Sequence, residues 1–383
     1  MNLKKFSEIA EIIMGQSPSS ETYNENSEGI PFFQGKADFG KINPAIRMYC
    51  SRPTKLADKN DILISVRAPV GDVNISNIKC CIGRGLSAIR CKDEIDYKYV
   101  YYYLTNIKQR FEEQATGSTF KAINKSVIEN MPIFIPEEFG VQKRISQVLD
   151  KAQELIDKRK AQIEALDELV KSRFIEMFGD LNINQNNFKI VRLEELTDKI
   201  TDGVHSKPEY ISEGVPFISV KDINSGNLIF DDCKYISEEA HKNYAKRCKP
   251  EKGDVLYTKV GATYGIPAVV DTDKEFSLYV SVALLKLKKE IVNPIYIKEA
   301  MRSTDVKRQA DRQVKGIGVP DLHLVEIKKF KIFNPPIELQ NKFAAFVNQI
   351  DKLKFEIQKS LEEMENNFNS LMQRAFKGEL FGE

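Results

Sequence analysis

Tryptophan is absent from this chain, histidine occurs only three times, and none of the six cysteines (Cys50, Cys80, Cys81, Cys91, Cys233, Cys248) belongs to a Cys-x-x-Cys pair. Structural zinc sites draw on such pairs and on histidine, so no metal site is expected and the cysteines read as buried free thiols. No apolar run approaches the roughly 18 residues of a membrane span. Residues Met1 to Phe6 lead at once into charged and polar sequence rather than a signal-peptide core, so a cytoplasmic location is expected. Strong net charge is missing too. The 57 Lys+Arg residues are nearly balanced by 55 Asp+Glu, although residues 1–137 and 183–336 lean basic while 138–182 and 337–383 lean acidic. That bias suits a phosphate-facing surface but would also suit an ordinary solvated one.

What the chain does have is length, apolar content and repetition. At 383 residues and 42% hydrophobic composition it is long enough for two or more packed domains. Two stretches share one spacing. The first comprises Ile145, Val148, Ala152, Leu155, Arg159, Ile163, Leu166, Val170, Arg173 and Met177. The second comprises Phe343, Phe346, Ile350, Leu353, Ile357, Leu361, Met364, Phe368, Leu371 and Ala375, each 198 positions further on (343 minus 145). A 4,3,4,3 spacing marks the seam of a coiled coil, and the 4,4 step after Leu155 and Leu353 reads as a stutter at the same point of each. Two unrelated amphipathic core helices would not share that offset.

The preceding segments repeat as well. Gly29-Ile-Pro-Phe returns as Gly214-Val-Pro-Phe, Lys59-Asn-Asp-Ile-Leu as Lys252-Gly-Asp-Val-Leu, and Ile133-Phe134 before Pro136 as Ile332-Phe333 before Pro335. Short runs at Asp61–Val66 and Leu86–Cys91 predict strands, Asp96–Gln114 a helix, and 132–136 a last extended piece. Glu137 and Glu138 open the first long helix, which stops at Gly179. The fold class is therefore α+β, a tandem duplication of a mixed α/β head and a long helix. Its boundaries are 1–137, 138–180, 181–336 and 337–383.

A helix of about 38 residues spans roughly 57 Å, whereas the polar link from Gly179 to Phe188 reaches at most about 35 Å. The second head must then sit near the far end of the first helix, and the second helix must run back antiparallel. Two heads related by an approximate two-fold axis suit a duplex with half-sites on opposite strands.

The heads carry ordered motifs. The first has Met14-Gly-Gln-Ser-Pro18, Gln34-Gly-Lys36-Ala-Asp-Phe39, Ile64-Ser-Val-Arg67-Ala-Pro-Val-Gly71, Cys81-Ile-Gly-Arg84-Gly85 and Gly117-Ser-Thr-Phe-Lys121-Ala-Ile. The second has Asp202-Gly-Val-His205, Phe217-Ile-Ser-Val-Lys221-Asp-Ile, Tyr257-Thr-Lys259-Val-Gly261 and Phe276-Ser-Leu-Tyr-Val-Ser281-Val-Ala. With these motifs and the duplication, the whole chain resembles the specificity subunit of a Type I restriction-modification system. It departs from that pattern at Pro136-Glu-Glu-Phe-Gly-Val-Gln142, where Pro-Pro-Leu-Glu-Glu-Gln is usual. The resemblance implies two target-recognition domains, each followed by a spacer helix, that together read an asymmetric bipartite sequence in double-stranded DNA. It implies no catalysis and no cofactor in this chain. Two methyltransferase subunits and the motor-nuclease subunits would be the partners, and S-adenosylmethionine, ATP and magnesium would belong to them.

Loops combining glycine with basic or hydroxyl side chains are the candidate DNA contacts, since glycine lets backbone approach phosphate and the side chains reach base edges. They are Gln34, Lys36, Arg67, Arg84, Ser118, Thr119 and Lys121 in the first head. In the second they are His205, Lys207, Lys221, Lys259, Tyr264 and Lys315, with Lys307, Arg308 and Arg312 as phosphate contacts. Two rival readings stay open. A self-contained methyltransferase would use Asn334-Pro-Pro-Ile337, but this lacks the aromatic fourth residue that stacks on a flipped adenine, and a self-contained nuclease would need clustered carboxylates and a lysine, of which Pro250-Glu-Lys252 is only a fragment without a second carboxylate at strand spacing. A coiled-coil scaffold that never meets DNA is the other.

Overall fold

The computed structural model describes residues 2–117, 121–316 and 318–381. They divide into two compact units, Met1–Lys160 with Lys359–Glu383, and Ala161–Gln358. Each holds one head together with parts of both long helices.

In the first head an antiparallel sheet has the spatial order Ala10–Met14, Leu86–Cys91, Ile62–Ser65, Val73–Ile75. Ile30–Phe33 runs parallel to Cys80–Ile82 in a second sheet, and Asn2–Lys5 pairs with Pro132–Ile135, bringing the two ends of the head together. The second head repeats each arrangement. Its sheet runs Thr197–Asp202, Val282–Leu287, Val255–Thr258, Pro267–Val269. Val215–Ile218 lies parallel to Ser277–Leu278, and Lys189–Arg192 pairs with Lys331–Asn334. The sequence repeat is thus a repeat of topology. Lys59-Asn-Asp and Lys252-Gly-Asp mark one shared turn, with Asn60 (φ 72°) and Gly253 (φ 88°) both left-handed. The following aspartates, Asp61 and Asp254, are buried and accept main-chain hydrogen bonds from Asp58 and Glu251, each at 2.8 Å. Arg90 and Lys286 supply their counter-charges at 2.7 and 3.0 Å.

The single helix predicted over 96–114 is two, Tyr97–Asn106 and Lys108–Gln114, separated at Ile107. No helix-breaking residue marks the join. Tertiary packing sets it, because Ile107 and Phe111 are both buried and Lys108 reaches Asp72 at 2.8 Å.

The long helices are Phe139–Phe178 and Ile337–Lys377, of 40 and 41 residues. Gly179 (φ 78°) and Gly378 (φ 82°) adopt the left-handed conformation that ends each. Despite the unusual sequence before it, the first helix starts by the same device as the second. Buried Gln142 donates to the carbonyls of Pro136 (2.9 Å) and Glu94 (3.3 Å) and accepts from Asp96 N–H (2.9 Å). Its repeat, Gln340, donates to Pro335 (2.9 Å) and Ile291 (3.1 Å) and accepts from Asn293 N–H (2.9 Å). Asn334-Pro-Pro-Ile337 is accordingly a strand-to-helix junction.

Within each unit the two helices run antiparallel. In the first, Arg144 lies over the Phe381 ring and Lys160 pairs with Glu365, so the numbering rises on one helix as it falls on the other. In the second, Asp167 pairs with Lys354 and Phe174 packs edge-on to Phe343. Each head grips the start of the helix that follows it and the end of the other. Phe376 packs on Tyr99 and Tyr103, and Phe178, its counterpart, on Tyr296. Burying one such ring contributes about 2 to 3 kcal/mol.

The seam differs from expectation at the stutter. Leu155 (54% exposed) and Leu353 (48%) face outward, while Ile156 (3%) is buried. Ile145, Leu149, Ala152, Ile156, Arg159, Ile163, Leu166 and Val170 form an unbroken 4,3 repeat of covered positions. Phe343, Val347, Ile350, Lys354, Ile357, Leu361, Met364 and Phe368 form its copy. Val148 and Phe346, assigned to the seam from sequence, fall outside this repeat and flank it, each next to a buried seam position, Leu149 and Val347. The offset of 198 stands and the stutter disappears, because the inward position in the second helix is a lysine, Lys354, whose ammonium reaches Asp167 at 2.6 Å.

Candidate nucleic-acid interface

Main-chain hydrogen bonds tie the candidate loops of the first head together. Gly85 N–H donates to Gln34 O (3.2 Å), Val66 to Gly85 (2.9 Å), Ile123 to Val66 (3.0 Å) and Ala68 to Lys121 (3.0 Å). Gln34, Lys36, Arg67, Arg84 and Lys121 therefore sit on adjacent loops. Approach is so close that a Cβ on Gly85 would lie 2.5 Å from Gln34 O, and one on Gly15 would lie 2.2 Å from Gly83 O. All five candidate side chains are exposed. Lys36 is held at 3.0 Å by Asp72, which also binds Lys108. Burial works against the charge of Asp72, but hydrogen bonds from Lys108 and Lys36 keep its carboxyl below the ordinary range. Ser118 and Thr119 lie outside the described residues.

The same ties recur in the second head. Lys259 N–H donates to Ser281 O (2.9 Å), Leu322 to Lys259 (2.8 Å) and Gly261 to Pro320 (2.9 Å). Gly203 repeats Gly15, with no room for a Cβ against Leu278 O. These ties and the strand registers equate Gln34 with Ser219, Lys36 with Lys221, Arg67 with Val260, and Arg84 with Val280. Arg67 and Arg84 of the first head are thus matched by valines in the second.

His205, Lys207, Lys221, Arg308, Arg312 and Lys315 are exposed. Lys221 reaches Asp232, and Arg308 lies 3.7 Å from Asp305. Tyr264 is half-buried, donates to Asp311 at 2.7 Å, and lies beneath the ammonium of Lys307, which also binds Asp311. Lys307 and the Tyr264 hydroxyl keep the Asp311 carboxyl below the ordinary range.

Lys259 departs from expectation. It is 5% exposed and lies between Asp202 (3.5 Å) and Asp321 (3.7 Å), so its ammonium faces inward rather than toward a ligand. Its counterpart is Val66. Glycine and lysine in a surface-like motif do not reveal that this strand end turns inward, since the neutralising aspartates are remote in sequence. Asp202, itself 3% exposed, also accepts from Arg247 at 2.5 Å and lies 3.2 Å from His205 Nε2. Arg247 was not among the sequence candidates. It follows the short helix Glu238–Ala245, and no local pattern links it to Asp202, 45 residues away.

Among the described residues no helix is long and apolar enough to cross a membrane. The Type I restriction modification DNA specificity domain family matches residues 1–165 and 185–365. A putative type I restriction enzyme MjaX specificity subunit of Methanocaldococcus jannaschii is 49% identical over 157 residues, which cover 40% of this chain and only 37% of that protein. The type I restriction enzyme EcoBI specificity subunit of Escherichia coli is 23% identical over 97% of this chain and 84% of its own. The crystal structure of a Type-I restriction-modification system S subunit from M. genitalium superposes with a TM-score of 0.59 at 17% identity, covering 98% of this chain and 96% of that one, which shows the shared fold. With the family matched in both halves, the chain belongs to the Type I restriction-modification DNA specificity family, as a DNA-recognition component and not a catalytic one.

Proposed function

We propose that each head reads one half of an asymmetric bipartite sequence in double-stranded DNA, that the paired helices set the gap between the halves, and that they dock two methyltransferase subunits. Motor-nuclease subunits would join that complex in the cytoplasm, and S-adenosylmethionine, ATP and magnesium would be held by those partners. The observation that carries this reading is one loop framework built twice with unlike side chains, Arg67 and Arg84 in one copy against Val260 and Val280 in the other. Equal frameworks give equal docking to a duplex, while unlike side chains give unlike base preferences. Exposed Gln34, Lys121, Lys207 and Lys315 are further contacts.

Mapping methylated adenines in cells that express the chain with its methyltransferase subunits tests this. Arg67→Ala is expected to relax one half of the motif and leave the other intact. An unaltered motif would remove Arg67 from the reading set, and absence of any two-part motif for the unmodified chain would defeat the function.

A further inference from the structure

Four equivalent positions differ in kind between the heads. Met14, Val66, Gly85 and Ala122 in the first correspond to Asp202, Lys259, Ser281 and Asp321 in the second, as fixed by strand register and by the repeated main-chain ties. Every one is apolar or lacks a side chain in the first head, and every one is polar in the second. Within this cluster the Ser281 Oγ and Asp321 Oδ1 atoms are buried without a hydrogen-bond partner among the described residues. Burying the Asp202 carboxylate and the Lys259 ammonium, with Asp321 partly exposed beside them, where the same framework accepts Met, Val and Ala is not required by the fold.

The cluster has one outward branch on exposed side chains. Asp202 holds the Arg247 guanidinium through Nη2 at 2.5 Å, and His205 Nε2 lies 3.5 Å from the same nitrogen. The side chains of Arg247 and His205 are 56% and 61% exposed, against 4% for Asp202. Lys259 joins Asp202 to Asp321, and Asp321 pairs by main-chain hydrogen bonds with Lys315. Arg247 is in this way continuous with the second head's candidate loops, in a head where Val260 and Val280 replace the arginines of the first. A guanidinium fixed at one nitrogen by a buried carboxylate keeps its other N–H donors in a set plane.

We propose that Arg247 is a base-reading residue of the second head, oriented by Asp202, and that its target is the N7 and O6 edge of a guanine, the one base that offers two acceptors in the major groove. This rests on the DNA-reading function proposed above. Asp202 is a positioning residue.

The test is methylation-motif mapping with the full chain in complex with its methyltransferase subunits, comparing the unmodified chain with Arg247→Ala, Arg247→Lys and Asp202→Asn. Arg247→Ala is expected to lose roughly 10-fold to 100-fold discrimination at one G·C pair of the second half-site, with the first half-site unchanged. Arg247→Lys is expected to retain part of that preference, and Asp202→Asn to relax the same pair. A merely structural ion pair would weaken methylation of every sequence alike, and that result, or an unaltered motif in Arg247→Ala, overturns the proposal. A two-part motif from the unmodified chain keeps a failure at Arg247 distinct from failure of the function itself.

Discussion

Lys259 tests how buried charge is tolerated. Its removal leaves Asp202 and Asp321 without their shared cation, and Lys259→Ala is expected to cost about 2 to 3 kcal/mol, less than a fully buried pair because Asp321 is partly exposed. Replacing Asp202, Lys259 and Asp321 together by Met, Val and Ala, their first-head counterparts, is expected to recover most of that loss in urea denaturation. Loss of stability in the triple variant equal to that in Lys259→Ala would show that the cluster supports the second head in a way the first does not need. Asp72 gives a pH-dependent counterpart. A carboxyl more acidic in the folded than in the unfolded chain stabilises the fold above its ordinary value, 3.8, and stops doing so as pH falls through the folded value. The stability difference between the wild type and Asp72→Asn is expected to be full at pH 5 and above and to shrink in solution more acidic than 3.8.

At the scale of elements, the two buried glutamines join each long helix to its head. Gln340→Leu fits the volume but strands two carbonyls and the Asn293 N–H, so a loss of about 2 to 3 kcal/mol is expected. The seam offers a sharper comparison. Ile156→Lys puts a charge at a covered position and is expected to lower the melting temperature markedly, whereas Leu155→Lys, on the solvent face, is expected to change stability by less than about 0.5 kcal/mol. Equal effects would return the seam to the stuttered register. Periodicity in the sequence located both helices and their 198-residue offset, yet chose Leu155 over Ile156, because both are apolar neighbours and a one-residue choice depends on what faces them. Lys354 was invisible as a seam residue for the same reason, since its partner Asp167 is 187 residues away.

For the molecule as a whole, the proposed ruler makes a numerical prediction. Inserting seven residues after Gln162 and after Ser360, positions matched by the repeat, lengthens each helix by about 10.5 Å. At 3.4 Å per base pair along a strand, the gap between half-sites is expected to grow by about three base pairs with neither half changed, as read by methylation mapping. An altered half-site would contradict a division between reading heads and measuring helices.

The sequence by itself determined the duplication, the α+β class, the long helices and the loops that bear Gln34, Arg67, Arg84 and Lys121. Those features are written in local patterns of spacing, turn residues and repeated strings, which each segment carries irrespective of its neighbours. Tertiary structure alone decided that Lys259 turns inward, that Asp202 holds Arg247 and His205, and that Gln142 and Gln340 lock the helix starts. Each depends on partners tens of residues distant, and whether a polar side chain is solvated or buried is set by which strands and loops close over it.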